Sequence, residues 1–204
     1  LVLASCRAIM ELPAANNRKT MAICGLGPSG LILLQYARAL GYERVTGWDL
    51  YEQRRKLALM LGADAVCHPE ELSAGACRDM AENDVGVMMM GDDLLPGEPT
   101  MNLFMRAIRP GGILVSYGHP ERGCRFSPYV FQTRDLRMQG PVNNMEIIRS
   151  RGKEIMEMVA AGRIRIEPLI THRVDFEDFL PAFENVLNKP EEQIKVILKW
   201  RDRQ

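Results

Sequence analysis

Three glycines in the segment GLGPSG, residues 25–30, could hold a phosphate group. The pattern GxGxxG is weak by itself, but here it lies between an apolar run and a helix-like run, as a dinucleotide-binding turn requires. Gly25 allows the tight turn, Gly27 lets the backbone approach a diphosphate, and Gly30 lets the helix pack closely on the strand. Pro28 and Ser29 then form the first helical turn, whose N–H groups and dipole attract anions. The alternative is a turn that only connects strand to helix.

Asp49 lies 19 residues beyond Gly30, at the end of the second apolar run. A carboxylate there can accept hydrogen bonds from an adenosine ribose, and its charge would repel a 2′-phosphate, so NAD is favoured over NADP. Asp49 could also be the N-cap of a helix beginning at Leu50. Arg54 and Arg55 follow, and they would either accept a 2′-phosphate or lie solvated on the helix surface.

Cysteine and histidine residues do not predict a metal site in this chain. The cysteines are five, scattered and never arranged as CxxC, which favours reduced thiols and a cytoplasmic location. None of the three histidines has a Cys, Asp or Glu at ligand spacing. His119 alone follows a predicted strand closely enough to contact a cofactor.

Composition indicates a small-molecule partner. The 204 residues are 47% hydrophobic, enough for a well-buried core, and 26 Lys and Arg balance 26 Asp and Glu. No net basic field exists to attract nucleic acid or an anionic membrane. The opening LVLASC lacks the basic and apolar regions of a signal peptide, and the absence of an initial Met predicts that the numbering begins inside a longer protein.

Alternating apolar runs and helical periodicities predict an α/β fold. Strands are expected at residues 21–24, 44–49, 63–67, 84–90, 113–118 and 136–142. Six strands with intervening helices suit a doubly wound parallel sheet, a Rossmann fold, in the order 3-2-1-4-5-6. Its ligand crevice lies at the carboxyl ends of strands one and four, and Gly91, beyond the fourth strand, is predicted to border it.

A C-terminal strand-helix-strand tail follows and is not needed to complete the sheet. We therefore divide the chain into a dinucleotide-binding domain at residues 1–168 and a C-terminal segment at residues 169–204. The helix of this segment is amphipathic, and we expect Phe176, Phe179, Phe183 and Leu187 to face inward.

Together these segments resemble the cofactor-binding half of the medium-chain dehydrogenase/reductase family, of the zinc-dependent alcohol, sorbitol and threonine dehydrogenase type. The resemblance covers nearly the whole chain. It rests on linked segments in the family's order, namely GLGPSGLILLQYARALG, VTGWDLYEQRRKLALMLGADAV, AIRPGGILVSYGHP, LRMQGPV, EPLITHRVDFEDFLPAF and QIKVILKW.

The resemblance implies roles for further residues. Arg54, five residues after the aspartate, would contact the adenosine ribose. Lys195 in the last strand would reach the pyrophosphate, unless it is simply a solvated lysine. The positions that resemble those lining the family's nicotinamide pocket are Tyr117, Gly118, His119, Pro141 and Asn143.

Zinc-type members carry a catalytic domain of about 150 residues before this segment, with the zinc ligands and the proton relay. The chain lacks a GHE motif and a four-cysteine zinc loop. The resemblance therefore implies an excised or truncated cofactor domain that is inactive alone, with zinc only in the intact protein. Its tail would then lack the catalytic domain as a packing partner, leaving aromatic side chains partly exposed. It also implies a homodimer formed through the edge of the sixth strand.

In the intact protein, the implied reaction is hydride transfer between an alcohol and NAD. Two alternatives share parts of the pattern. A non-catalytic NAD-sensing module would need only the binding turn. A methyltransferase using S-adenosylmethionine also has a glycine turn and an acid ending its second strand, but not the EPLITH and QIKVIL segments.

Overall fold

The computed structural model describes residues 19–73, 80, 82–89, 100–118, 125–140 and 145–200. Eight strands alternate with helices along this part of the chain. The strands are β1 Thr20–Cys24, β2 Arg44–Trp48, β3 Ala65–Cys67, β4 Asn83–Met88, β5 Ile108–Ser116, β6 Arg137–Gln139, β7 Ile170–Asp175 and β8 Lys195–Lys199. The α-helices are α1 Pro28–Ala39, α2 Glu52–Met60, α3 Pro69–Ser73, α4 Thr100–Arg106, α5 Pro128–Thr133, α6 Met145–Ala160 and α7 Phe179–Asn188. Short 3-10 turns are at Glu167–Leu169, Phe176–Asp178 and Pro190–Glu192.

Strands β1 to β6 form one parallel sheet in the order β3-β2-β1-β4-β5-β6. This confirms the predicted doubly wound Rossmann topology and places β6 at one edge. Successive residues of β1 alternate between two apolar clusters, because neighbouring side chains of a strand point to opposite faces. Met21 and Ile23 pack in one cluster with helix α1, and Ala22 and Cys24 pack in the other with Trp48 and α4.

Two element boundaries differ from the predicted ones. Helix α2 begins at Glu52, whereas the sequence predicted a start at Leu50. Strand β5 begins at Ile108, before the predicted start at residue 113, and the segment RPGG forms its irregular beginning, where the pairing with β4 shifts register. Gly111 takes a φ of +73° there, a conformation that favours glycine.

The C-terminal unit, which we define as residues 169–200, forms a second sheet in which β7 and β8 pair in parallel. Leu169 and Ile194 anchor it, because both are buried in the same apolar cluster as β1. The expected inward orientation of these side chains is wrong, since the described part of the chain leaves them largely uncovered. They are 39–64% exposed. The exposed stripe consists of Phe176, Phe179, Phe183 and Leu187. Partial exposure of the aromatic side chains is what the resemblance implied for a tail without the catalytic domain.

Among the described residues, no helix is long and apolar enough to span a membrane.

Candidate functional site

The glycine-rich turn connects β1 to α1 at the carboxyl edge of the sheet. Gly25 has a φ of +98°, and its backbone N–H donates to the Trp48 carbonyl at 2.8 Å, which joins the turn to β2. A Cβ on Gly30 would stand 2.0 Å from the Gly25 carbonyl oxygen. Both glycines are therefore required by the backbone path itself. The structural roles predicted for Gly25 and Gly30 are confirmed.

Gly27 is the N-cap residue of α1, and it faces open space. A Cβ built on it would meet nothing within 4 Å. Pro28 lies in the first helical turn, no side chain caps the helix, and that turn carries no acidic residue. The positive end of the helix dipole is therefore not neutralised by a nearby carboxylate on the same helix. An anion can approach the backbone at Gly27 without a steric obstacle.

Asp49 is buried beside this turn, directly after β2, and it is 5% exposed. Its Oδ2 accepts the Leu26 backbone N–H at 2.8 Å, and its Oδ1 accepts the Tyr51 backbone N–H at 2.9 Å. The N-cap residue of α2 is Tyr51, so the N-cap hypothesis for a helix from Leu50 is wrong in position. Instead, Asp49 closes a turn two residues before the helix cap. A carboxylate offers about four acceptor positions, so capacity remains for further donors.

Both arginines that could have received a 2′-phosphate are occupied by backbone carbonyls. Arg55 donates from one nitrogen to the carbonyls of Asp49 and Leu50, each at 2.7 Å. Arg54 donates to the carbonyls of Pro190 and Gln193, at 3.2 and 3.0 Å. A second Arg54 nitrogen lies 3.6 Å from Asp49 Oδ2, and its guanidinium lies over the Tyr51 ring.

These groups enclose a cavity of about 270 Å³ at the carboxyl edge of the sheet. The structure brings seven of the predicted cofactor residues to its wall: Gly25, Gly27, Pro28, Ser29, Gly30, Asp49 and Arg54. Three further residues line it that the sequence analysis did not single out, namely Leu50, Tyr51 and Met89.

Two of the predicted nicotinamide-pocket residues lie at the adjoining strand ends. The backbone N–H groups of Tyr117 and Gly118 donate to the Met88 carbonyl, at 3.0 and 3.1 Å. This pairing holds them beside Met89, which lines the cavity. Four other predicted cofactor residues lie outside the described residues: Gly91, His119, Pro141 and Asn143.

Lys195 lies elsewhere. It is the first residue of β8, its side chain is exposed, and it does not line the cavity. Its predicted contact with a pyrophosphate therefore finds no support in the position of this side chain.

Cys24, at the end of β1, carries a buried thiol directly before the glycine-rich turn. Burial raises its pKa to about 12, and the Asp49 carboxylate adds to the rise. The thiol therefore stays protonated at neutral pH and is a poor nucleophile. Within the described ranges, no three His, Cys, Asp or Glu side chains come together as a metal site.

Comparison with known proteins finds a matching family. The sequence profile of the family described as zinc-binding dehydrogenases matches residues 28–161, more than half of the chain. This match confirms the resemblance drawn from the motifs.

Curated relatives are similar over most of this chain but are about twice its length. A probable D-xylulose reductase A of Aspergillus terreus is 29% identical over 181 residues, which are 87% of this chain and 50% of that protein. D-xylulose reductase A of Aspergillus oryzae is 30% identical over 174 residues, which are 82% of this chain and 47% of that protein. The chain thus spans about half the length of the curated relatives it matches.

Solved structures share the fold. A zinc-binding dehydrogenase of Sinorhizobium meliloti, bound to NADP, superposes with a TM-score of 0.75 at 25% identity, over 97% of this chain and 57% of that chain. An alcohol dehydrogenase of Escherichia coli CFT073, complexed with NADH, gives a TM-score of 0.77 at 17% identity, with the same coverage of 97% and 57%.

Proposed function

Since the chain belongs to the zinc-binding dehydrogenase family, we propose that its cavity binds the adenosine and diphosphate of NAD. In the intact protein, this cofactor would exchange a hydride with an alcohol or polyol. The observation that carries the proposal is the pairing of an open glycine cradle at Gly27 with a buried carboxylate at Asp49, both on the wall of one cavity.

The residues present fit a diphosphate at the start of α1. Gly27 leaves the space that a side chain would fill, and the first helical turn contributes the positive end of the helix dipole without an acidic residue to oppose it. The close packing of Gly30 on Gly25 brings this helix end directly over the end of β1. The diphosphate would therefore be bound by backbone groups and not by a basic side chain.

The ribose would lie between Asp49 and Arg54. Two backbone N–H groups occupy part of the Asp49 carboxylate, and the nearest Arg54 nitrogen is 3.6 Å away, too far for a direct hydrogen bond. A hydroxyl group both donates and accepts, so it can engage the carboxylate and the guanidinium at once. Burial of Asp49 strengthens such charge-assisted bonds.

The proposed preference for NAD over NADP rests on the charge of Asp49 and on the hydrogen bonds that Arg54 and Arg55 already make. A 2′-phosphate would meet the Asp49 charge, and Arg54 and Arg55 already donate to carbonyls at 2.7–3.2 Å. Redirecting either arginine would break two hydrogen bonds. Structures with this fold hold NADH in one case and NADP in another, and we therefore attribute the choice in this chain to these side chains.

The reaction is proposed from the relatives. The curated relatives are D-xylulose reductases, which favours a polyol or a related alcohol as substrate. NAD supplies the hydride acceptor when bound, and this chain's residues would hold and orient it. The zinc ligands and proton relay of the family would lie outside this chain, so we expect the isolated chain to bind cofactor without oxidising alcohols.

Calorimetric titration of the chain with NAD, NADP and S-adenosylmethionine tests the proposal. We expect binding of NAD, weaker binding of NADP and none of S-adenosylmethionine. Tighter binding of S-adenosylmethionine than of NAD would overturn it. Alcohol-dependent formation of NADH by the isolated chain, with zinc retained after dialysis, would contradict the expectation that this chain binds the cofactor without oxidising alcohols.

A further inference from the structure

Arg54 joins the cavity to the C-terminal unit. It lies on the first turns of α2, yet both of its carbonyl partners are more than 130 residues away in sequence. Only 19% of its side chain is exposed. A partly buried arginine that donates to two carbonyls in one turn is oriented by that turn, because its planar guanidinium has a fixed donor geometry.

The partner turn is itself held in the protein. Gln193, which follows the 3-10 turn Pro190–Glu192, is 7% exposed, and its neighbour Ile194 is buried in the main apolar cluster. Among the described residues, Arg54 Nε is buried without a hydrogen-bond partner. Both carbonyls accept from one Arg54 nitrogen, so the guanidinium keeps further donors, including the nitrogen that lies 3.6 Å from Asp49 Oδ2.

On its other side, Arg54 faces the cofactor residues. One nitrogen lies 3.6 Å from Asp49 Oδ2, and the guanidinium carbon lies 4.6 Å from the centre of the Tyr51 ring. Asp49, Tyr51 and Arg54 all line the cavity. One side chain thus contacts the turn that leads into β8 and the groups proposed to bind the ribose.

We propose that Arg54 is a positioning residue that couples occupation of the adenosine site to docking of the C-terminal unit, an inference that rests on the proposed function. The carbonyls of Pro190 and Gln193 hold the guanidinium beside Asp49, where a ribose meets it. A ligand that engages Arg54 in this position favours the docked turn. By thermodynamic linkage, the docked turn must favour that ligand by the same factor.

The coupling is specific to the turn that leads into β8. Before β7, the Gln35 side chain pairs with the Arg165 backbone in both directions, at 3.1 and 2.7 Å, but neither residue lines the cavity. This contact fixes the chain to α1 and does not involve the ribose groups. Arg54 alone among these contacts reaches both regions.

Hydrogen exchange of the β8 amides, Lys195–Lys199, tests the coupling in the chain itself. Saturating NAD should slow this exchange by about fivefold or more, the lower range of allosteric coupling. AMP should have the same effect, because it occupies only the adenosine side. Nicotinamide mononucleotide should not.

The variant Arg54→Lys keeps the charge but loses the fork that spans both carbonyls and the ribose. It should bind NAD about fivefold or more weakly, and the NAD-induced protection of β8 should disappear. The matched control is Arg38→Lys, because Arg38 also donates to two carbonyls, those of Tyr42 and Glu43, and pairs with a carboxylate away from the cavity. That variant should retain both effects.

The outcomes separate the two proposals. If NAD protects residues 25–31 but leaves β8 unchanged, the coupling is overturned while the proposed function stands. If NAD does not bind, both fail. Full NAD-induced protection of β8 in the Arg54→Lys variant would also overturn the coupling, because Arg54 would then have only a structural role.

Discussion

The Leu26 backbone N–H donates to Asp49 Oδ2 at 2.8 Å, so the acidic end of β2 is tied directly to the glycine-rich turn. Gly47 permits this approach, because a Cβ there would stand 2.7 Å from the Leu26 side chain. The carboxylate therefore shapes the turn, and it also lines the cavity.

Replacing Asp49 with Ser should change both stability and cofactor choice. NAD should bind about tenfold or more weakly, because charge-assisted hydrogen bonds are worth roughly 1.5–3 kcal/mol each. NADP should improve relative to NAD, since the repelling charge is gone. The free energy of unfolding should fall by about 1–3 kcal/mol, since the Leu26 and Tyr51 N–H groups lose their acceptor. Calorimetry with both cofactors and urea unfolding provide the measurements.

The control for Asp49→Ser is Asp64→Ser. Asp64 also accepts a backbone N–H of β2, that of Val45 at 2.6 Å, but it lies at the opposite end of that strand. The control should lose stability and keep the parent ratio of NAD to NADP affinity. An unchanged ratio in the Asp49 variant would show that this carboxylate only shapes the turn.

Substituting the two glycines of the turn should separate fold from binding. Gly30→Ala places a methyl 2.0 Å from a backbone oxygen, so unfolding should become easier by about 3 kcal/mol or more, at or above the usual range for overpacking. Gly27→Ala meets no atom, so its thermal midpoint should match the parent while NAD affinity drops at least about tenfold. Thermal unfolding and calorimetric titration distinguish the two variants. Undiminished NAD binding by Gly27→Ala would show that the diphosphate does not bind at Gly27.

The glycine-rich turn and the strand order of the main sheet could be predicted because their determinants are local. Glycine spacing, Pro28 and the aspartate at the end of β2 each follow from short-range backbone requirements. The alternation of apolar residues predicted the buried strands in the same way. These features are fixed by neighbours within one βαβ unit.

The environment of Arg54 could not be predicted from the sequence, because its carbonyl partners are distant in the chain. Every residue has a backbone carbonyl, so the residue types at Pro190 and Gln193 do not reveal these acceptors. Lys195 shows the converse problem, since its position in the last strand suggested a role that its exposed side chain does not support. Tyr51 could have been found, because an aspartate two residues before a helix cap is a local turn pattern. The exposed face of α7 was misjudged, since amphipathicity predicts a buried side but not whether this chain provides its partner.

The edge of the sheet at β6 should mediate dimerisation, as the family resemblance implies. In the described part of the chain this strand has three residues and pairs only with β5, and Met138 is 43% exposed. Sedimentation should show a dimer at micromolar concentration, and Met138→Asp should shift it to monomer by adding a charge at the edge. A parent that sediments only as a monomer would rule out this interface in the chain.

The C-terminal unit should be the least protected part of the described fold in the absence of cofactor. Its aromatic cluster is partly exposed, with Phe176 stacked on Trp200 at 3.9 Å between ring centres. Few of its apolar side chains contribute to the main core, so local opening should require less free energy than opening of β1. Amides of β7 should therefore exchange faster than those of β1. Equal rates would show that the unit opens only with the whole domain.

Asp84 lies at the end of the sheet opposite the cavity. It should make the free energy of unfolding depend on pH in the acid range. Its Oδ2 accepts the backbone N–H groups of Lys19 and Thr20, at 2.9 and 3.0 Å, and its Oδ1 accepts Arg109 Nε at 2.7 Å. Burial acts to raise the pKa of this carboxyl, but the Lys19 N–H, the Arg109 guanidinium and the Thr20 N–H together lower it.

A carboxyl whose pKa is lower in the folded state stabilises the protein above its unfolded pKa, about 3.9. This contribution should disappear as the pH falls through the folded value. In Asp84→Asn, the free energy of unfolding at neutral pH should be lower by about 1–3 kcal/mol, and its decline below about pH 4 should be shallower.

Asp178→Asn, which removes an exposed carboxylate of the C-terminal unit, controls for the loss of charge. Urea unfolding from pH 3 to pH 7 measures both slopes; parallel curves for the parent and Asp84→Asn would show that Asp84 does not link folding to protonation. NAD affinity should stay unchanged in Asp84→Asn, because Asp84 lies at the amino ends of β1 and β4 and does not line the cavity.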